Sequence, residues 1–318
     1  MICPLCGNKD VHLVTEKLRR GEGEVYSCSL CDLAFLKPKA INVKEYYNIE
    51  YRKKFKDNLN SVETNPEELF LARYKFQQSQ LDILKEYFDK SKKVLEIGCS
   101  AGQLLHHIHD KFGEYCGIEL DSKCAEHVRK KYGIIVCETE IQHCQFDNEY
   151  FDYIIFLQVL EHVADPHKFL FEIGKKLKPG GKLFIEVPNL HDPLLDLWLV
   201  NAYNGFYYHE AHTFYYSINS LKKLMFKNNY FVDEVHFLQD YNFLNHLYWY
   251  FNNSPQGSCE FGLSDPKINF NASKTEIAGK INNLFYDLDK QYKKILSENE
   301  LTSNIFLICS KKINEMES

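Results

Sequence analysis

The chain has no excess of positive charge. Its 38 Lys and Arg stand against 44 Asp and Glu, a formal net charge of -6. Nucleic-acid binding calls for a basic stripe that neutralises phosphates. None is visible, so no nucleic-acid partner is expected. The sequence also lacks any run near the roughly 18 consecutive apolar residues of a membrane-crossing helix, so no membrane span is expected. Met1-Ile2 leads straight into Cys3-Pro4 with neither a basic nor an apolar leader region, and the expected location is cytoplasmic. There is no internal repeat. What remains is 45% hydrophobic and 26% charged over 318 residues, which is ordinary for a globular protein. That length allows one large domain with attachments, or two domains.

Cysteine, by contrast, is plentiful, with 11 residues. In a reducing compartment, paired cysteines read as metal ligands before disulfides. Cys3-Pro4-Leu5-Cys6 and Cys28-Ser29-Leu30-Cys31 are two C-x-x-C knuckles, and together they offer a tetrahedral S4 site. Zinc is the expected ion, with iron the alternative for the same geometry. Four thiolates leave no open position for water, which indicates a structural ion. Short strands are expected between the knuckles, at Val11 to Thr15 and Val25 to Tyr26. The other seven cysteines are scattered and form no second cluster.

Beyond this module, taken as residues 1-38, lies a polar stretch to about 65 with a short helix expected near Glu45 to Phe55. Asn65-Pro66-Glu67-Glu68 is a helix start, with a capping side chain, Pro at the first position and acids in the first turn. That helix is expected to run to about Phe88, and residues 39-89 are read as a linker with N-terminal helices. Strand and helix signals then alternate. Strands are expected at 93-97, 115-120, 134-137, 151-156, 182-187, 231-238 and 304-310, and helices at 102-112, 122-132, 166-177, 219-228 and 276-296. Such alternation predicts an α/β doubly wound, Rossmann-like sheet of seven strands over residues 90-318. Residues 240 to 275 read as irregular and aromatic. Segments at about 188-220 and 240-300 are read as substrate insertions.

The first strand of this domain ends in Glu96-Ile97-Gly98-Cys99-Ser100-Ala101-Gly102, the pattern E-x-G-x-x-x-G. Small residues let the backbone turn sharply beside a ligand at a helix N-terminus. The spacing departs from the G-x-G-x-x-G loop that cradles a dinucleotide pyrophosphate, which argues against NAD. Glu119, followed by Leu120, ends the second strand, where an acid can accept both hydroxyls of a ribose.

These motifs resemble those of the class I S-adenosylmethionine (SAM) dependent methyltransferases over about residues 90 to 240. Val94 to Gly102 is similar to the family's first cofactor motif, and Gly117-Ile118-Glu119 to the second. Phe151 to Ile155 with Leu157 to Val163 is similar to the fourth-strand motif, and Leu177 to Leu183, with its Pro-Gly-Gly, to the turn into the fifth strand. The resemblance implies SAM as cofactor, held by Glu96, Gly98, Cys99, Ser100, Gly102, Glu119 and Leu120, with Gln158 beneath its methionine end. It also implies an acid near the adenine, for which Glu138 and Glu140 compete. Related enzymes with E-x-x-E-H in the fourth-strand motif bind a divalent metal. Here Gln158 replaces the first carboxylate of Gln158, Glu161 and His162, so packing is the expected role.

The acceptor side is expected in Tyr207-Tyr208-His209-Glu210-Ala211-His212-Thr213-Phe214-Tyr215-Tyr216-Ser217. A His there suits base catalysis because its ordinary pKa is near neutrality. The segment resembles the E-H-x-x-Y-F-S stretch of bacterial sugar methyltransferases that also begin with a zinc module. In that match His212 falls on the proposed base, Tyr215 on the aromatic and Ser217 on the serine, while Ala211 takes the place of the glutamate. His212, His209 and Glu210 are therefore the candidate catalytic residues. The aromatic segment Asn242 to Tyr250 suits a substrate lid or a dimer contact, and a homodimer is one expectation. Together these features predict SAM-dependent methylation of a sugar, nucleotide-linked sugar or surface-polysaccharide precursor. The alternatives are an RNA methyltransferase with a zinc module and a SAM-binding partner protein without catalysis.

Overall fold

The computed structural model describes residues 1–37, 65–270 and 274–312. The helix expected near Glu45 to Phe55 lies outside them. The chain opens with strands β1 (Val11–Leu18), β2 (Gly21–Cys28) and β3 (Ala34–Leu36). The first two pair antiparallel into a longer hairpin than the sequence suggests. After them come β4 (Lys93–Ile97), β5 (Glu114–Ile118), β6 (Ile135–Cys137), β7 (Phe151–Leu157), β8 (Leu177–Pro188), β9 (Phe214–Tyr215), β10 (Tyr230–Leu238) and β11 (Asn304–Lys311).

Seven of these form the expected doubly wound α/β sheet, in the order β10-β11-β8-β7-β4-β5-β6. β8, β7, β4, β5 and β6 pair in parallel, and β11 runs antiparallel to both β8 and β10. From β4 the chain steps outward to β5 and β6, then returns to β7 on the other side of β4. This reversal leaves a crevice at the carboxyl ends of β4 and β7, where such sheets bind ligands. The central strands are apolar runs because both faces are covered. Ile305, Phe306, Leu307, Ile308 and Cys309 are all fully buried. Pro179-Gly180-Gly181 does not precede the fifth strand but bulges within β8, where the pairing with β7 slips between Phe151 and Tyr153.

The second sheet has the order β1-β2-β3-β9. Its fourth strand, Phe214–Tyr215, comes from the acceptor-side segment, far along the chain from Ala34–Leu36. The cysteine module therefore has no core of its own. Cys3, Leu5, Cys28, Cys31, Leu33 and Phe35 belong to the same apolar cluster as Phe156, Ile185, Phe214 and Leu221.

Two helical expectations change. The helix from Asn65 breaks into Pro66–Arg73 and Gln78–Leu84, each followed by a tighter turn. The apolar spacing explains the break. Leu69, Ala72 and Phe76 keep the helical period, and the five-residue step to Leu81 loses it. Conversely, the stretch taken as irregular contains helices Phe243–Asn252 and Cys259–Leu263, capped by Asn242 and Ser258. No helix among the described residues is long and apolar enough to cross a membrane.

Candidate active site

The cofactor-side candidates meet at the ends of β4 and β5. Gly98 sits at φ +76°, and a Cβ there would stand 2.6 Å from Val159. Gly102, at φ +87°, would meet Tyr132 and Val128. Both conformations favour glycine. Between them Ser100 also takes a positive φ. The loop is latched by Gly98 N–H donating to Ile118 O (2.7 Å) and Gly102 N–H to Cys99 O (2.8 Å). Cys99 is buried, and its Sγ lies where a Cβ on Gly117 would go, at 2.9 Å.

Glu119 closes the loop from the next strand. One carboxylate oxygen accepts Ser100 N–H and the other Asp121 N–H, both at 2.8 Å. These bonds aim a fixed acid over the loop beside the half-buried Leu120. Asp121 then caps helix Ser122–Tyr132. Glu96 is buried, takes a hydrogen bond from Tyr115 Oη (2.8 Å), and is pushed up to about 7 by that burial. Past β6, Glu138 pairs with Arg129, while the exposed Glu140 takes a hydrogen bond from Gln142. Gln158, at φ +57°, donates to Glu186 Oε1 (2.8 Å) and Asn304 Oδ1 (3.1 Å).

The four cysteines converge. Sγ atoms of Cys3 and Cys31 lie 3.5 Å apart, as do those of Cys6 and Cys28, and all four lie within 4.8 Å of one another. Thiolates around one zinc at about 2.3 Å would stand roughly 3.8 Å apart, so the set fits. The two knuckles repeat one geometry. Gly7 N–H donates to Cys3 O and Asp32 N–H to Cys28 O, each at 2.9 Å, and both residues take positive φ. The second knuckle uses an Asp, which tolerates that conformation and carries a carboxylate. His191 Nε2 bonds it at 2.8 Å while Nδ1 bonds Asp196 at 2.6 Å, and the two acids push His191 up to about 10.

On the acceptor side, the His209 and His212 rings lie 3.7 Å apart between centroids. Tyr215 Oη locks the turn, accepting His209 N–H (2.8 Å) and donating to His209 O (2.9 Å). Ser217 caps helix Ile218–Lys227 through a capping box with Ser220. Glu210 is half-buried. Burial pushes His212 well below the ordinary histidine range.

Sequence reading placed Glu161 and His162 in a packing role. Instead, Glu161 Oε1 lies 3.9 Å from His212 Nε2 and 3.8 Å from His162 Nε2. Glu161 is 1% exposed, and neither carboxylate oxygen accepts a hydrogen bond from the described residues. Burial pushes it up to about 8 and His162 down to about 4. His162 Nδ1 bonds Ala211 O (2.8 Å), and Thr213 N–H donates to Glu161 O (2.8 Å). The signal that could have found the cluster was E-H in the fourth-strand motif read together with the later His. The same stretch carries Val159, which packs on Gly98, so the cluster adjoins the cofactor loop.

The tyrosines around the turn do not offer open ring faces. Tyr207, Tyr208, Tyr215 and Tyr216 are all buried. Their rings are core packing.

Comparison with known proteins adds to this geometry. A family model described as a methyltransferase domain matches residues 71–235. The chain is similar to the ubiquinone biosynthesis O-methyltransferase of Hydrogenovibrio crunogenus, 28% identical over 131 residues, covering 38% of this chain and 53% of the relative. It is also similar to the enzyme of that name from Glaesserella parasuis, 34% identical over 108 residues, covering 31% and 46%. The chain thus spans about half the length of these curated relatives. A SAM dependent methyltransferase from Archaeoglobus fulgidus superposes with a TM-score of 0.49 at 20% identity, covering 77% of this chain and 97% of that one.

Proposed function

The chain belongs to the methyltransferase-domain family and is a SAM-dependent methyltransferase, and from that premise we propose that it methylates a hydroxyl of a small-molecule acceptor beside Glu161, His162 and His212. The observation that carries the reading is a buried carboxylate between two imidazoles, next to the cofactor loop. Bound SAM supplies an activated methyl with its own leaving group. The protein must therefore orient the acceptor and take its proton, since a hydroxyl is a poor nucleophile until it loses one. His212, kept neutral by burial, has a lone pair for that proton, and Glu161, which burial pushes up to about 8, can stabilise the cation once it is ionised above that pH. Glu96, Gly98, Cys99, Ser100, Gly102, Glu119 and Leu120 hold SAM, with Glu119 on the ribose. Gln158 supports the methionine end through Glu186. Of the two acids near the adenine, we favour Glu138, one residue past β6.

The named relatives favour a quinone precursor as acceptor, and the resemblance at His212 favours a sugar or nucleotide-linked sugar. Transfer of labelled methyl from SAM to a panel of phenols and nucleotide-linked sugars separates them. Transfer to neither, with SAM bound, would point to an acceptor outside these two classes. The cysteines are proposed to hold one structural zinc, and the fit of the four sulfur atoms supports this.

One observation favours a second reading of the acceptor cluster. The Glu161 oxygens have no hydrogen-bond partner among the described residues, and the ligand atoms of Glu161, His162 and His212 lie within 4.8 Å of one another. Two imidazoles and a carboxylate suit a divalent transition ion. The bond from His162 Nδ1 to Ala211 O would orient that ring as second shells do. A second metal equivalent that disappears in Glu161→Gln supports this reading, and a single equivalent in both proteins excludes it.

A further inference from the structure

We propose that the four-cysteine module positions the acceptor site: the ion between Cys3, Cys6, Cys28 and Cys31 fixes β3, and β3 fixes the turn carrying His209 and His212. The inference rests on the metal reading of those cysteines.

The turn is held on both flanks by module residues. Before it, Arg19 N–H donates to Tyr208 O (2.7 Å), and Arg19 Nε donates to Phe206 O (2.6 Å) with the guanidinium 3.7 Å from the Phe206 ring. After it, Leu36 N–H donates to Thr213 O (2.9 Å), continuing a ladder in which Ala34 faces Tyr215 and Phe35 faces Phe214. Ala34 is only three residues from Cys31. Each knuckle is tied to the main domain as well. Lys227 Nζ donates to Leu5 O (2.7 Å) in the first, and Asp32 reaches His191 from the second.

The opposite side of the turn rests on the catalytic cluster, through Ala211 O to His162 and Thr213 N–H to Glu161. The histidine turn is thus clamped between the module and Glu161-His162. A two-residue β9 has little cohesion of its own, and a module without its own core depends on its ion for order. Without the ion β3 keeps only its packing on the shared core, and the register that fixes His212 against Glu161 loosens. The cofactor loop is latched to β5 instead, so SAM affinity does not depend on the ion.

The test uses the full reduced chain, with elemental analysis, hydrogen exchange by mass spectrometry, and calorimetry with S-adenosylhomocysteine. Protein as purified should hold about one zinc per chain. Stripping it with a chelator should speed exchange in residues 205–217 by about tenfold or more, and added Zn2+ should reverse this. Exchange in residues 94–104 and S-adenosylhomocysteine affinity should change by less than about twofold. Because Cys6 is the half-buried ligand, Cys6→His should keep the ion as a Cys3His site and keep the turn protected, whereas Cys6→Ser should lose both. Bound zinc with an unresponsive turn overturns the proposal while the metal reading stands. Equal acceleration of both segments overturns it by making the role global. A protected turn in protein that holds and binds no metal overturns both.

Discussion

The cofactor side and the acceptor side are built on different plans. Apart from Gln158, everything proposed to hold the ribose and the methionine end lies between Glu96 and Asp121. Its key bonds join neighbours in sequence or adjacent strands, as with Glu119 to Ser100 and Asp121. The acceptor side is assembled from distant chain. His162 reaches Ala211 over 49 residues, His191 reaches Asp32 over 159, and Arg19 reaches Phe206 over 187. A cofactor of fixed shape can be met by one loop with set φ angles. An acceptor must be met by side chains from several segments, which can be exchanged without disturbing that loop. The two sides should therefore be separable by substitution.

The largest separation is expected at the cluster. His212→Ala should lower turnover on the identified acceptor by about 10²–10⁴, the range a positioned base contributes. Glu161→Gln should act in the same direction above about pH 8, where Glu161 is ionised, since the amide carries no charge to stabilise a cation beside it. S-adenosylhomocysteine affinity, measured by calorimetry, should stay near wild type in both. His209→Ala should cost less, because His209 is not one of the residues grouped around Glu161. Near-normal turnover in His212→Ala would break the assignment, and a large loss in His209→Ala alone would move the role there.

The reverse separation belongs to the loop. Gly98→Ala places a Cβ 2.6 Å from Val159 at a backbone angle that suits glycine. Strain of this kind costs on the order of 1–3 kcal/mol, so S-adenosylhomocysteine should bind about tenfold to a hundredfold more weakly. Val159 also precedes Glu161 by two residues, which makes Gly98 the place where the two sides meet. Calorimetry reports the loss, and hydrogen exchange in residues 205–217 tells whether it spreads.

What the sequence disclosed follows the same division. The tight glycine loop and the seven alternating strands were legible because each depends on local spacing, and the two knuckles were legible for that reason too. The pairing of β3 with β9 was not. A three-residue and a two-residue strand carry no periodicity, and their register is set by packing onto a shared core. The proximity of Glu161 to His212 was not legible, because a carboxylate inside a helical turn is ordinary until a histidine 51 residues later closes over it.

The smallest effect tests whether the two sides unfold as one unit. Each has a buried acid pushed up to about 7 by burial: Glu96 beside the cofactor loop, and Asp192 at the start of helix Pro193–Asp196. In both, the folded pKa lies above the ordinary carboxylate value, so the folded state holds its proton more tightly than the unfolded state does. Stability from each is complete below about pH 4 and is lost as pH rises to about 7, with no further loss above that. Glu96→Gln keeps an oxygen for Tyr115, and Asp192→Asn keeps a cap for Leu194 N–H. Each substitution removes the titration and little else. The Tm difference from wild type should therefore grow between about pH 4 and pH 7 and then level off. If the halves are one cooperative unit, a single transition moves in both variants and the gains add in the double variant. If they are separate, calorimetry resolves two transitions, and each substitution moves only the one that contains it.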